Sequence, residues 1–219
     1  MSPARVLCVT AAALAAAVPA AGAAQPLDFR AVVSRETADL AYDDGRTIET
    51  RETRAGAELW EPLAENVEGG VVLGFNWVSQ DGDPATEGEE PDGGYGGLRV
   101  RGDVPLGGGL AVEGAAGWQY HRASADASGG DVTLSWYTTD ARAGLAFTQG
   151  AVTLAGGATV SHVDGERRVD GRETVDFDND DSLGGYLRAS FATAGRGRIE
   201  LSAASGPWAG VSITFARRF

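Results

Sequence analysis

The sequence has almost no cysteine and no long apolar run. Its only cysteine among 219 residues is Cys8, which falls in the segment that we predict is removed as a leader. The remaining chain then has no thiol, no disulfide and no cysteine-based metal site. A membrane-spanning helix needs about 20 consecutive apolar residues, and no segment of the chain offers them. Any crossing of a membrane must therefore be made by strands.

Basic residues are also scarce relative to acids. The net charge is -13, and loss of Arg5 with the leader makes it one unit more negative. This balance argues against nucleic acid as a partner. The charge is concentrated in two stretches, residues 80–93 with six acids and no base, and residues 164–182 with eight acids and three arginines. We interpret both as acidic loops.

The N-terminus has the pattern of a secretory signal peptide. Arg5 precedes an apolar, alanine-rich run from Val6 to Val18, and small residues follow at 21–23. This order is typical of a leader that signal peptidase removes. We therefore predict a signal peptide over residues 1–23 and a single domain over residues 24–219.

The rest of the chain alternates apolar with small or polar residues, as strands with one apolar face do. With 32 glycines and 43% hydrophobic residues, a conventional buried core is not required. Glycine, proline and acidic segments separate the alternating runs. We predict ten strands, with eight as the alternative, and a bulge near Val32 and Val33. The strands are expected at residues 28–42, 46–60, 70–79, 95–104, 110–122, 132–147, 151–163, 183–192, 198–204 and 208–219.

The last stretch, from Trp208 to Phe219, carries a more specific signal. Val211, Ile213 and Phe215 share one face, and the chain ends on the aromatic Phe219. In this respect it resembles the outer-membrane β-barrels of Gram-negative bacteria, such as the small OmpA, OmpX and OmpW barrels. Arg217 departs from the family pattern, which has an apolar or aromatic residue there.

The resemblance implies an all-β fold, a closed antiparallel transmembrane barrel in the cell outer membrane. It implies that Val211, Ile213, Phe215 and Phe219 form the signal read by the barrel-assembly machinery. Outer-membrane lipid and lipopolysaccharide are the other expected partners, and we expect a monomer. A soluble β-sandwich or lipocalin-like barrel would show the same alternation.

Aromatic residues support the membrane alternative because they prefer the interface between bilayer and water. In the predicted threading they form two girdles. The outer girdle contains Trp77, Trp118, Tyr120 and Tyr137, and the inner girdle contains Phe29, Phe147, Phe191, Phe215 and Phe219.

Charged residues of both signs occupy the inward parity. A barrel of eight to ten strands has a narrow lumen, so we expect these side chains to fill it as an ion-pair network. The predicted role is structural, or an interaction at the cell surface, and a narrow porin-like channel for small solutes is the alternative. The predicted network consists of Arg99, Arg101, Asp103, Glu113, Asp140, Arg142, Arg188 and Glu200.

Two further sites are weaker candidates. His121 has the lumen parity, with Asp140, Ser124 or Asp126 expected nearby, and His162 has the lipid parity. They keep open an outer-membrane hydrolase or acyltransferase, but the expectation is no enzyme and no catalytic residue. The DFDNDD segment offers Asp176, Asp178, Asp180 and Asp181 as a weak surface-loop site for Ca²⁺ or Mg²⁺, without the glycine and distal glutamate of an EF-hand. No other cofactor is expected.

Overall fold

The computed structural model describes residues 27–86, 88–127, 130–170, 174–179 and 181–219. The predicted signal peptide lies outside these residues. In the described part of the chain, no helix combines the length and the apolar character needed to span a bilayer.

The described chain folds into eleven antiparallel strands, and its other regular element is a 3₁₀ turn at Ala194–Arg196. Nearly all connections join neighbouring strands. The strands are β1 (Asp28–Tyr42), β2 (Thr47–Ala64), β3 (Val67–Asp81), β4 (Asp92–Gly107), β5 (Leu110–Ala127), β6 (Gly130–Gln149), β7 (Val152–Val169), β8 (Val175–Asn179), β9 (Leu183–Thr193), β10 (Gly197–Ser205) and β11 (Ala209–Arg218).

Ten of the strands close into a ring. The last strand, β11, pairs with β1 from Asp28↔Arg218 to Thr37↔Ala209, so neither terminal strand leaves a long open edge. The predicted closed all-β barrel of about ten strands is confirmed. The predicted bulge at Val32 and Val33 is wrong, because β1 keeps one continuous register with β2 and with β11.

The eleventh strand corrects the prediction of a long loop over residues 164–182. Strand β7 continues to Val169, and β8 then returns to pair with β7 on one side and with β1 on the other. The outer end of the barrel is therefore built from eight strands, β1 to β8. The inner part is built from ten, with β9, β10 and β11 in place of β8.

The exterior of the ten-stranded part is an apolar belt. Its strands expose large hydrophobic side chains at alternate positions, with Leu73 at 67% and Leu187 at 70% exposure. The two aromatic girdles border this belt: Trp77, Trp118 and Tyr137 are exposed near one end, and Phe29, Phe147, Phe191, Phe215 and Phe219 near the other. Apolar residues thus face outward where a bilayer would lie, as in transmembrane barrels.

The outer end reverses this arrangement. Beyond the outer girdle many inward residues are apolar and buried, beside buried polar residues such as Thr50, Gln80 and Arg167, and many outward residues are polar. Side chains from β1, β2, β3 and β5 to β8 pack there into an apolar cluster, which we call the outer core. It contains Ala38, Leu40, Tyr42, Ile48, Val78, Ala123, Leu134, Trp136, Val163 and Phe177. The apolar cluster therefore separates the polar lumen of the inner part from the polar groups buried at the outer end, such as Asp83 and Arg167.

The terminal Phe219 contributes little packing to the folded barrel. Its side chain is 63% exposed, and its backbone N–H donates to the carbonyl of Leu27 at 2.9 Å. We predict that deleting Phe219 changes the stability of refolded protein by less than about 0.5 kcal/mol, as for other surface changes, but lowers the outer-membrane yield in cells. Cell fractionation and denaturant unfolding measure the two effects, and a normal yield would contradict an assembly role.

Candidate functional site

The barrel interior holds two groups of ion pairs centred on Arg188 and Arg99. Arg188 bonds Glu113, and its other guanidinium nitrogen donates to Glu200 at 2.9 Å. Arg99 pairs with Asp140 at 3.3 Å and with Glu58 at 3.4 Å. These contacts join strands that lie apart in sequence, from β2 to β10.

A second group lies at the inner end. Arg101 pairs with Asp28 at 2.9 Å and with Glu68 at 2.5 Å, and its guanidinium stacks 4.1 Å from the centre of the Trp60 ring. Asp28 also pairs with Arg30 at 3.2 Å. The predicted network lacked Asp28, Arg30, Glu58 and Glu68, although the parity of β1, β2 and β3 places them on the inward face.

Two predicted network members behave differently from the rest. Asp103 is exposed near the inner end of β4, opposite Glu113, and it makes no ion pair with any described residue. The structure thus does not bring Asp103 together with the other predicted members, and the nearest arginine on its own strand, Arg101, is bound by two other acids. Arg142 lies inside the lumen, where its guanidinium stacks 5.2 Å from the centre of the Tyr186 ring.

A buried cluster around Glu52 lies just below the outer core. The Glu52 side chain is 1% exposed and His121 is fully buried. His121 Nδ1 lies 2.9 Å from Glu52 Oε1, and Asn76 Nδ2 donates to the same oxygen at 3.0 Å. Arg54 completes the cluster with Glu36 and with the second Glu52 oxygen, 3.8 Å away.

His121 does not have the partners that the sequence predicted. The carboxylate that contacts His121 is Glu52, not Asp140 or Asp126. Glu52 on β2 and His121 on β5 both point into the narrow lumen, where their side chains meet. The imidazole is stacked between Tyr95 and Trp136, with ring centres 5.4 Å and 4.8 Å away. His162 is exposed on the outward face of β7.

Small residues make room for this cluster. A side chain at Gly74 would approach Tyr95 to 2.6 Å, and one at Gly56 would collide with the tyrosine hydroxyl. Two glycines on neighbouring strands thus let Tyr95 lie flat across the wall and cover His121.

Between the cluster and the inner ion pairs lies a cavity of about 190 Å³. We call it the lumen cavity. Acids and arginines line it in nearly equal number, together with hydroxyl groups and the hairpin that joins β10 to β11. Its charged lining consists of Glu36, Glu52, Glu58, Asp140, Arg54, Arg99 and Arg142.

The predicted cation site does not assemble among the described residues. Asp176 and Asp178 are exposed on the outward face of β8, where they lie opposite Glu166 and Asp164. Asp180 lies outside the described residues, and Asp181 is exposed. The described residues contain no group of three side chains suited to hold a metal ion.

An anchored acidic residue holds the outer loop between β3 and β4. The Asp83 side chain is fully buried and pairs with Arg167 at 2.5 Å and with Arg46 at 3.2 Å. Nearby, outside the apolar belt, burial raises the pKa of Tyr42 to about 12. The phenol therefore stays neutral at physiological pH and accepts a hydrogen bond from Gln80 Nε2 at 2.8 Å.

No protein-family model and no curated protein matches the sequence. Solved structures with a similar arrangement include the outer-membrane protease OmpT from Escherichia coli, at 9% identity and TM-score 0.42, over 87% of this chain and 92% of that one. An outer-membrane channel from Pseudomonas putida F1 matches at 10% identity and TM-score 0.48, over 92% and 99%. The attachment invasion locus protein of Yersinia pestis matches at 14% identity and TM-score 0.40, over 90% and 100%.

The identity of the fold comes from the structure of this chain. Ten antiparallel strands close into a ring, and the ring carries an apolar belt between two aromatic girdles. A closed barrel leaves no unpaired strand edge in contact with lipid, and such a belt matches the hydrocarbon layer. The chain is a β-barrel of the outer-membrane type.

Proposed function

We propose that this barrel is a non-conducting outer-membrane protein with a structural or surface-interaction role. The outer core is the observation that carries the proposal. Within it Ile48, Val78 and Leu134 are 1% exposed, and Ala123 and Val163 are fully buried. An ion that crossed the barrel would have to displace these packed side chains and lose its hydration, which makes a steady conducting path unfavourable.

The inner ion pairs support the same role. Arg99, Arg101 and Arg188 each hold two carboxylates across the lumen. These ion pairs tie together strands up to three positions apart around the ring and occupy space that a solute would need. A narrow channel remains the second candidate, and the lumen cavity is the observation that favours it.

We assign no catalytic role to His121. Its imidazole is fully buried and covered on both faces by Tyr95 and Trp136. A general base must reach the proton of its substrate within hydrogen-bond distance, and this environment admits none.

For partners, we propose outer-membrane lipid and lipopolysaccharide around a monomeric barrel. Arg35 and Arg122 are exposed on the outward face, just beyond the outer girdle residues. This level corresponds to the lipid head groups, where a guanidinium pairs well with phosphate. The barrel-assembly machinery is the proposed partner of the terminal strand.

Single-channel recording in planar bilayers tests the proposal. We expect no reproducible conductance steps from wild-type protein, because the outer core blocks the lumen. A Leu134→Gly, Trp136→Gly double variant removes two packed side chains from the core and should produce steps. Regular wild-type steps that survive trimming of the loop between β3 and β4 would instead favour the channel.

A further inference from the structure

The change from ten strands to eight leaves a break in the barrel wall. On β1, the pairing with β11 ends at Thr37, and the pairing with β8 begins at Leu40. Ala38 and Asp39 therefore have no partner strand on that edge among the described residues. The break lies at the level where the apolar belt ends, between the hairpin of β10 and β11 below and β8 above.

On the opposite side the break is held together by side chains and loop backbone. Asn179 at the end of β8 accepts a hydrogen bond from the Val163 N–H at 2.6 Å and donates to the Ser161 carbonyl at 3.1 Å. The Ser161 N–H donates to the Ser182 carbonyl at 2.8 Å. The β7 edge is thus bridged by Asn179 and Ser182 without a continuous ladder, whereas on the β1 edge Ala38 and Asp39 have no strand partner within the part of the chain that the structure describes.

Trp208 occupies the break. It follows β10 in the hairpin, is partly buried, and packs against the outer core. Its indole Nε1 is buried and has no hydrogen-bond partner among the described residues. A buried donor left unpaired is unfavourable, so an acceptor that entered beside Trp208 would gain a hydrogen bond.

The lumen cavity reaches this break. Its lining includes lumen-facing Ser202 and Ser212, but also Ala203 and Val211, which belong to the lipid-facing parity of the same hairpin, and Trp208 itself. Val211 is 61% exposed on the apolar belt. The cavity therefore borders the tip of this hairpin, next to the break in the wall.

One charged group in the lumen cavity lacks a counterion. Arg54 is paired with Glu36 and Glu52, and Arg99 with Glu58 and Asp140. Arg142 forms neither an ion pair nor a hydrogen bond with a described side chain; it stacks on Tyr186. Its charged neighbours are Arg99 and Arg188 together with Glu113 and Glu200, and both of these acids are already paired with Arg188. An anion beside Arg142 would be stabilised by charge-assisted hydrogen bonds.

From these observations we propose that the lumen cavity binds an anionic amphipath, with its carboxylate or phosphate head on Arg142 and its apolar tail leaving through the break beside Trp208. The polar head fits the cavity lining, and the tail meets Val211 and the lipid. The site is compatible with a non-conducting barrel, because the ligand enters from the side and the outer core stays closed.

The test uses the mature chain in phosphatidylcholine nanodiscs, with decanoate labelled with ¹³C at its carboxyl as the probe. Carbon NMR should show one saturable bound resonance distinct from decanoate in the bilayer. Arg142→Gln should weaken this binding by about tenfold or more, since hydrogen bonds to charged groups contribute about 1.5–3 kcal/mol. Arg168→Gln removes an exposed arginine from the outward face of β7 and should leave it unchanged.

Three comparisons complete the test. Comparison of the affinities for decyl phosphate and decanoate identifies the preferred head group, and a preference for either one supports the site. Acetate and inorganic phosphate should bind at least about tenfold more weakly than decanoate, because they bury no apolar surface. Trp208→Ala should accelerate exchange of bound decanoate. Binding no different from empty nanodiscs, equal binding to folded Arg142→Gln, or equal affinity for acetate would each overturn the proposal. A folded barrel migrates more slowly in electrophoresis after the sample has been heated than before, and this shift verifies that each variant is folded.

Discussion

Replacement of Asp83 by alanine is expected to destabilise the outer end of the barrel by about 3–5 kcal/mol, the usual cost of removing one partner from a buried ion pair. The Asp83 side chain is fully buried, and Arg167, its partner at 2.5 Å, is 5% exposed. Without the carboxylate, the Arg167 guanidinium stays buried beside Tyr42, whose ring centre lies 4.8 Å away. Its remaining carboxylate partner is Asp44, which lies 3.6 Å away and is 33% exposed, so the buried charge keeps only a longer and more solvated ion pair.

The same change should release the loop between β3 and β4. Asp83 accepts a hydrogen bond from the Ala85 N–H at 3.1 Å and so fixes the start of that loop. Limited proteolysis of folded protein in bilayers should cleave residues 82–91 faster in Asp83→Ala than in wild type. Denaturant unfolding measures the loss of stability.

Asp81→Ala is the matched control. Asp81 belongs to the same acidic stretch and pairs with Arg51 at 2.6 Å, but its side chain is 58% exposed. Exposed ion pairs contribute about 0–1 kcal/mol, so this variant should unfold and resist cleavage almost as wild type does. Equal effects of the two substitutions would show that Asp83 is no anchor.

The exterior of the barrel was predictable because strand periodicity is local. Val71, Leu73 and Phe75 alternate along β3, and a two-residue period places them on one face regardless of what the strand contacts. The same argument located the inward arginines. The same dependence on periodicity explains why some predicted strands end several residues too early. Where β7 leaves the apolar belt, its outward residues become Asp164 and Glu166. A segment with charges at alternate positions resembles a loop in the sequence.

The interior was less predictable because its contacts are set by barrel closure. His121 and Glu52 are 69 residues apart, and Arg167 and Asp83 are 84 residues apart. No local pattern selects such partners from several acids of the same parity. Strand β8 was missed for a related reason, since its acids lie opposite other acids on β7. Like charges in that position are unfavourable, and the inward burial of Phe177 in the outer core offsets them.

Replacement of Leu73 by arginine is the second change with a large expected effect. Leu73 is 67% exposed and lies at the centre of the outward set on β3, between Gly69 and Trp77. An arginine near the midplane of a barrel exterior costs about 2–4 kcal/mol, because its charge must leave water for hydrocarbon. Unfolding of protein in phospholipid bilayers should show this loss.

The control for Leu73→Arg is Thr47→Arg. Thr47 is exposed on the outward face of β2, next to the turn that follows β1, and lies beyond the outer girdle. In water the added guanidinium keeps its hydration, so stability should change by less than about 0.5 kcal/mol. In detergent-free buffer the same pair distinguishes a membrane barrel from a soluble one. If the apolar belt faces lipid, Leu73→Arg should improve the solubility of the protein in buffer and lower its stability in bilayers. If Leu73→Arg and Thr47→Arg have equal stability in bilayers, the belt does not contact hydrocarbon.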